Sequence, residues 1–356
     1  MKKILLLLVG GTVCCAPNDM GDLAVSDRAG ALLKIGFLNS DSPFAREVDI
    51  METENLHILS ETMTVEKWNR IRRTLAQHLE KAVYDGVVIA HGTDTLGFSA
   101  ALFAQLYSNT TIPMFFVAAH RPLMDAESNG HANFRAAVEC ICRDVPPNVY
   151  VTYRNPSDGR MYLHLASRLR QCDIYSDDFH SVGALDISKG YADVRARLAQ
   201  AYPSAHRRPC EFAQGELRDC VLMIEPYVGI NYAVYDYTRF AAVLHGAYHA
   251  GTAMAEDGVD YGAQSVLYMM DRCAACDTDT YFAPAIKRHG TYETVATIAA
   301  HAPRGRAMRF LYGFTRETTY AKLVIAYSFL KDDAARMEYL ATQHNFERIC
   351  EEGDNV

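Results

Sequence analysis

No stretch of this chain approaches the ~18 consecutive apolar residues of a membrane-spanning helix, so a helical membrane protein is excluded. Positive charge is also short. There are 35 basic against 43 acidic side chains, a net −8 and a pI near 5.9. A chain built to hold nucleic acid clusters Lys and Arg instead. There is no internal repeat and no low-complexity tract, and tryptophan occurs once, at Trp68. What is present is ordinary: 49% hydrophobic and 22% charged residues, the profile of a globular protein. At 356 residues the chain is expected to form two domains, because a single core rarely grows beyond roughly 250–300 residues.

Ten cysteines invite a disulfide or metal reading. They are scattered along a large chain, and Cys is a favoured core residue in reducing compartments. Cys273 and Cys276 form a Cys-x-x-Cys spacing, and Cys140 and Cys142 lie close together. Zinc or redox chemistry would need a second paired set or a thioredoxin-like context. The cysteines therefore read as packing residues, with no metal expected. At the N-terminus, Lys2 and Lys3 precede the apolar run Ile4–Val9. That order mimics a signal peptide, but six residues fall short of the ~7–15 such a segment needs. A short run ending in Gly10-Gly11 reads better as a buried parallel strand entering a tight turn, and this points to a cytoplasmic protein.

Strand–loop–helix units repeat along the first half. Thr64–Tyr84 places Trp68, Ile71, Leu75, Leu79 and Val83 at helical spacings. Val87–Ala90 and Met114–Ala118 read as short strands. Gly97–Leu106 and Ala132–Cys142 read as helices, and Asn148–Tyr153 with Met161–Leu165 as a hairpin. The fold class expected is α/β with two α/β domains. The larger, 1–203, carries a sheet with a parallel core. Residues 204–217, polar and basic, form a linker. A smaller parallel-sheet domain occupies 218–356, with strands at Val221–Glu225, Ala242–Leu244 and Ser265–Met269, and a helix over Thr315–Tyr327.

Ligands of open α/β sheets gather at the carboxyl ends of parallel strands. Two loops there carry threonines: Gly10-Gly11-Thr12, and His91-Gly92-Thr93-Asp94-Thr95. Glycines beside a hydroxyl let a substrate approach the backbone, whose N–H groups can stabilise an oxyanion. A threonine hydroxyl becomes a nucleophile once a base takes its proton. Asp94 adds a carboxylate that can orient a base or bind an ammonium group. Either loop alone is weak evidence; an isolated Gly-Gly-Thr is usually just a turn.

Together, and in order along nearly the whole chain, these loops resemble the bacterial L-asparaginase family of amidohydrolases. Leu59–Thr64 followed by Trp68 resembles its substrate-binding segment. Ala119–Pro122, Ser128–Gly130 and Asn133 resemble its Gln-Arg-Pro and Ser-Asp-Gly region. Arg168–Asp173 resembles its Arg-x-x-Lys-x-Asp segment, and Thr315–Glu317 with Ala321–Leu323 its closing helix. The resemblance implies hydrolysis of a side-chain amide to carboxylate and ammonia, without cofactor or metal. The enzyme would be a homodimer or homotetramer acting on a small-molecule amide, with no nucleic-acid or membrane partner. It further implies Thr12 as the nucleophile, Thr93 as a second threonine in a triad with a lysine, and Asp94 with Ser60 and Glu61 holding the substrate's charged groups. Gly11, Gly92 and Ala119 would line the amide pocket. The catalytic part of a tRNA-dependent amidotransferase shares this domain pair, but it usually has an N-terminal domain for which no room is expected before the Thr12 strand. Processing as a lipoprotein before Cys14 or Cys15 would delete Thr12.

Two positions depart from the family pattern. Gln171 stands where the triad lysine is expected, and Gln cannot act as a base. Asp22 stands where a lid tyrosine is expected, and no tyrosine occurs in the first 80 residues. Three readings follow: an amidohydrolase in which Asp22, desolvated by lid closure, serves as base; an enzyme with slow turnover or a shifted substrate, its pocket reshaped by Cys14 and Cys15; or a protein that binds an amino acid without hydrolysis. Lys189 is a compensating lysine to consider. His91 is expected to hold its loop, and His120 to edge the pocket. His245 and His249 lack a third metal ligand nearby, and Tyr227, Tyr232, Tyr235 and Tyr237 read as packing residues. Arg168 and Arg170 stay protonated and cannot replace the lysine. One methylene, worth ~1–3 kcal/mol, separates asparagine from glutamine, and the sequence leaves that choice open.

Overall fold

In the computed structural model, the N-terminal apolar run is strand β1 (Lys2–Leu8), with Ile4–Leu8 buried on both faces. A strand without an exposed face belongs at the centre of a parallel sheet covered on both sides. The structure describes residues 1–17, 20, 22–208, 210, 212, 215–256, 262–285 and 292–349. The chain divides into Met1–Gln214 with His344–Phe346, and Gly215–Gln343 with Glu347–Val356. Among the described residues no helix is long and apolar enough to cross a membrane.

In the first unit β1 is followed by a small hairpin, β2 (Cys15–Pro17) and β3 (Leu23–Val25), then α1 (Ala29–Leu38) and β4 (Val48–Glu52). Next come α2 (Val65–Lys81), β5 (Gly86–Ala90), α3 (Leu96–Leu106), β6 (Met114–Val117) and α4 (Gly130–Cys142). The hairpin β7 (Val149–Arg154) and β8 (Met161–Leu165) leads to the short strands β9 (Leu169–Arg170), β10 (His180–Ser181) and β11 (Leu185–Asp186), and to α5 (Val194–Ala201). The main sheet has the order β11-β8-β7-β6-β5-β1-β4. Strands β4, β1, β5, β6 and β7 run parallel; β8 and β11 are antiparallel to their neighbours.

This order fixes the site. After β1 the chain moves one way, to β4; after β5 it moves the other way, to β6. The loops that follow the adjacent strands β1 and β5 therefore diverge, and an α/β sheet opens its ligand crevice at such a reversal. Helix α2 begins at Thr64, whose side chain accepts from the Lys67 N–H, and it buries Trp68, Ile71 and Leu75. It ends at Lys81, so Val83, expected on the buried stripe, is 89% exposed instead.

The second unit carries the four-stranded parallel sheet β12-β13-β14-β15, with β12 at Val221–Ile224, β13 at Ala242–His245, β14 at Asp279–Ala285 and β15 at Arg309–Tyr312. Its helices are α6 (Val266–Ala275), α7 (Glu293–Ala300), α8 (Arg316–Phe329) and α9 (Asp333–Ala341). The two-domain α/β class expected from the sequence, larger sheet first, is what the structure shows. One element is corrected: Ser265–Met269 is no strand. Ser265 caps α6 by accepting from the Leu267 N–H, and Val266, Met269, Met270 and Cys273 are buried at helical spacing. A run of four apolar residues, Val266–Met269, fits either period, and here the helix cap decided. Strands β14 and β15 add to the elements expected from the sequence.

Candidate active site

Val9 leaves β1 still paired with its neighbours, donating to Ala90 O at 3.0 Å while its own carbonyl accepts from the Ile58 N–H at 2.9 Å. Gly10 and Gly11 then adopt φ of 141° and 71°, which β-carbon-bearing residues avoid. The close approach matters more than the dihedral. A Cβ on Gly11 would sit 2.1 Å from Gly92 Cα, and one on Gly92 would sit 2.4 Å from Ser60 Oγ. The two threonine loops thus touch backbone to backbone, with the Ser60 side chain packed against the junction. Thr12 opens a short turn, Thr12–Cys14, and is half-buried, as is Thr93.

Ser60 ties the second loop in place. Its hydroxyl donates to Asp94 Oδ2 at 2.6 Å and accepts from the Asp94 N–H at 3.3 Å, and its carbonyl accepts from Thr95 Oγ1 at 3.0 Å. Ser60 is buried, whereas Asp94 is exposed. Glu61, one residue on, is also exposed and lies within electrostatic reach of Cys15. Burial pushes the Cys14 thiol up to about 12, so it stays protonated behind the Thr12 turn.

Gln171 is not poised as a proton carrier. Its Nε2 donates to the Thr93 carbonyl at 2.7 Å, and its Oε1 accepts from the Gly97 N–H at 2.9 Å. Thr95, the N-cap of α3, makes no side-chain cap. Gln171 therefore supplies that cap from a distant segment and clamps the Thr93 main chain to the helix. The alternative lysine does not compensate. Lys189 follows β11, four strands from β5, which at ~4.8 Å per strand is ~19 Å away along the sheet.

His91 holds its loop as expected, its Nδ1 lying 2.8 Å from the Gly92 carbonyl, so that nitrogen carries the proton. Complete burial lowers its pKa to about 4 and keeps the ring neutral. Its Nε2 is buried with no hydrogen-bond partner among the described residues. Ala119 is fully buried beyond β6, and His120 beside it donates its N–H to Asn129 Oδ1 at 3.0 Å. Asp22 is exposed and immediately precedes β3, beside the Pro17–Leu23 pair; Asn18, Asp19 and Gly21 lie outside the described residues. In the second unit, both ring nitrogens of His245 are engaged, Nε2 with the Tyr232 hydroxyl at 2.7 Å and Nδ1 with the Gly246 carbonyl at 2.6 Å.

A cavity of about 540 Å³ opens beside Thr93 and Asp94, walled by Gln171 and residues 172–177. That volume falls in the usual range for small-ligand sites. Sequence reasoning placed Thr93, Asp94 and Gln171 here but missed the 172–177 wall, which belongs to the loop between β9 and β10. Asp173 and Asp177 were the only signal.

Residues 3–194 match the family model described as "Asparaginase, N-terminal". The chain belongs to the asparaginase family. The family match covers β1 through the start of α5, and so both threonine loops and Gln171. Among curated relatives, a glutamyl-tRNA(Gln) amidotransferase component from Halobacterium salinarum is 31% identical over 167 residues, 47% of this chain and 38% of that protein. The Thermococcus kodakarensis L-asparaginase is 28% identical over 151 residues, 42% of this chain and 44% of that protein. The chain thus matches less than half the length of these two relatives. The solved L-asparaginase I from Vibrio cholerae shares the fold, with a TM-score of 0.66 at 19% identity over 98% of this chain and 99% of that one.

Proposed function

We propose that this chain is an amidohydrolase that releases ammonia from the side-chain amide of L-asparagine or a closely related compound. The observation that carries the reading is the backbone contact between Gly11 and Gly92, which sets the two threonine loops against each other, and it is supported by a ligand-sized cavity lined by Thr93 and Asp94. Similarity both to an L-asparaginase and to amidotransferases supports chemistry at an amide C–N bond and leaves asparagine and glutamine both open.

In this reading the Thr12 hydroxyl attacks the amide carbonyl. The C–N bond then breaks, the nitrogen leaves as ammonia, and water hydrolyses the acyl-enzyme. The N–H groups of Gly10 and Gly11 are already donated to Ala90 O and Ile58 O, so the developing oxyanion is met by other main-chain N–H groups of the two threonine loops. Ser60 and Asp94 hold the α-carboxylate and α-ammonium. Gln171, whose amide is engaged by main chain, positions Thr93 and takes no proton. The base is Asp22, brought down as the β2–β3 hairpin closes; a carboxylate removed from water becomes a better proton acceptor. The enzyme works in the cytoplasm as a homodimer or homotetramer, as the family resemblance implies, and light scattering checks the assembly.

The test is ammonia release from L-asparagine and L-glutamine by the full chain and by Thr12→Ala and Thr93→Val. Turnover that vanishes in both variants is the expected result. Unchanged turnover in Thr12→Ala removes the nucleophile assignment. A second reading, binding without hydrolysis, is favoured by the commitment of both Gln171 amide atoms to main chain. It predicts no ammonia release, but a thermal shift on adding aspartate or asparagine.

A further inference from the structure

Helix α3 begins just after Thr93, and its first turn holds that residue: the Leu96 N–H donates to Thr93 O at 3.3 Å. Every α3 residue from Leu96 to Leu106 except Phe98 is buried, so the backbone groups left over at its ends need protein partners. At the amino end Gln171 takes the Gly97 N–H. At the carboxyl end the Ser108 N–H turns to Gln105 O at 3.4 Å, and Ala104 O accepts instead from Asn345 Nδ2 at 2.9 Å. Asn345 lies in the stretch His344–Phe346, which belongs to the first unit although the chain on either side of it belongs to the second. Its side chain is completely buried. Nδ2 also donates to Asn148 Oδ1 at 2.7 Å, just ahead of β7, and the two acceptors fix which way the amide points. The Asn345 carbonyl accepts from Ser167 Oγ at 2.8 Å, and the Phe346 carbonyl accepts from Arg168 Nε. Segment 167–171 is therefore tied to α3 at two points, through Asn345 at Ala104 and through Gln171 at Gly97, about 10 Å apart along the helix. A Cβ on Gly97 would sit 2.9 Å from Gln171 N, so helix and segment lie against each other with no slack.

We propose that Asn345 is a positioning residue for the site: it holds the carboxyl end of α3 while Gln171 holds the amino end, and together they fix the helix lengthwise and so set Thr93. The proposal rests on the reading that Thr93 takes part in amide hydrolysis. Asn345 touches no substrate. It acts through a helix that both amides must hold, because either end released lets α3 slide, and a displacement of ~1 Å at reacting groups can cost as much as 10²-fold in rate.

The test compares the full native chain with Asn345→Ala, Gln171→Ala, the double variant Gln171→Ala/Asn345→Ala, and Phe346→Leu. The last loosens a ring contact with Tyr202, at 5.4 Å between centroids, and keeps every hydrogen bond of the stretch. For ammonia release from L-asparagine and L-glutamine, kcat should fall about tenfold in Asn345→Ala with KM within twofold, and stay within twofold in Phe346→Leu. In the double variant, kcat should match that of Gln171→Ala within about twofold, since a helix already released has little more to lose. Unchanged kcat in Asn345→Ala, equal losses in Asn345→Ala and Phe346→Leu, or losses that multiply in the double variant overturn the proposal. Asn345→Ser, which keeps one donor, takes the place of Asn345→Ala if that variant does not fold. If the native chain releases no ammonia, the amidohydrolase reading fails and hydrogen exchange over residues 93–102 decides the coupling. Exchange about tenfold faster there in Asn345→Ala, and unchanged in Phe346→Leu, supports it; equal exchange in the two variants overturns it.

Discussion

Gln171→Ala tests whether this residue is a structural clamp and not a remnant of a proton relay. The substitution removes the hydrogen bonds to the Thr93 carbonyl and from the Gly97 N–H, along with a weaker one from Nε2 to Cys172 Sγ. The second caps the first turn of α3, a role that Thr95 leaves open because it donates its hydroxyl to Ser60 O. Loss of a helix cap costs ~0.5–2 kcal/mol and loss of a further hydrogen bond ~0.5–1.5 kcal/mol, together ~2 kcal/mol. The chain's single tryptophan reports on this directly, since the buried Trp68 Nε1 donates to Ser99 Oγ on α3 at 2.8 Å. With a urea slope of ~2–3 kcal/mol/M, the Trp68 fluorescence transition should move down by ~0.7–1 M. Gln171→Lys keeps a donor for Thr93 O but leaves the Gly97 N–H without its acceptor, so it should also destabilise, by about 1 kcal/mol, and not raise turnover. An unmoved Trp68 transition in Gln171→Ala, or a gain in ammonia release in Gln171→Lys, would refute the clamp.

Lys322 and Glu347 form an ion pair at 2.9 Å in the second unit, 1% and 0% exposed, with the ammonium also donating to Thr342 O. Lys322→Met strands a buried carboxylate and should cost ~3–5 kcal/mol, while the double change Lys322→Met/Glu347→Leu should recover most of it; hydrogen exchange along α8 measures both. Burial lowers the His91 pKa to about 4 and the His164 pKa to about 3, both below the unfolded value near 6.5. The unfolded chain therefore binds more protons between those values. The first unit should lose about 1.4 kcal/mol per histidine for each pH unit below ~6.5, read by Trp68 fluorescence in urea, with a shallower slope in His164→Gln.

Much of the first unit is legible because its physics is local. Ile4–Val9 is apolar without alternation, so it must lie in the middle of a sheet. Thr64 caps and Trp68, Ile71 and Leu75 repeat at helical spacing, so α2 follows. Gly11 and Gly92 mark turns where a Cβ does not fit, although only the fold shows that each excludes it for the sake of the other's loop. The segment Ser265–Met269 misleads because its four consecutive apolar residues, Val266–Met269, fit either period, and β14 and β15 carry weaker patterns than their neighbours.

By itself the sequence determined the α/β class, the two threonine loops and the departures at Gln171 and Asp22, because each depends on residue type and spacing over a few positions. Tertiary structure decided the rest. It put the β1 and β5 loops in contact through a strand order that no local pattern encodes. It turned Gln171 from a missing base into a helix cap reaching across 74 residues to Gly97. It also brought Asp173, Tyr175 and Asp177 alongside Thr93, a juxtaposition of segments about 80 residues apart that exists only once the sheet has formed.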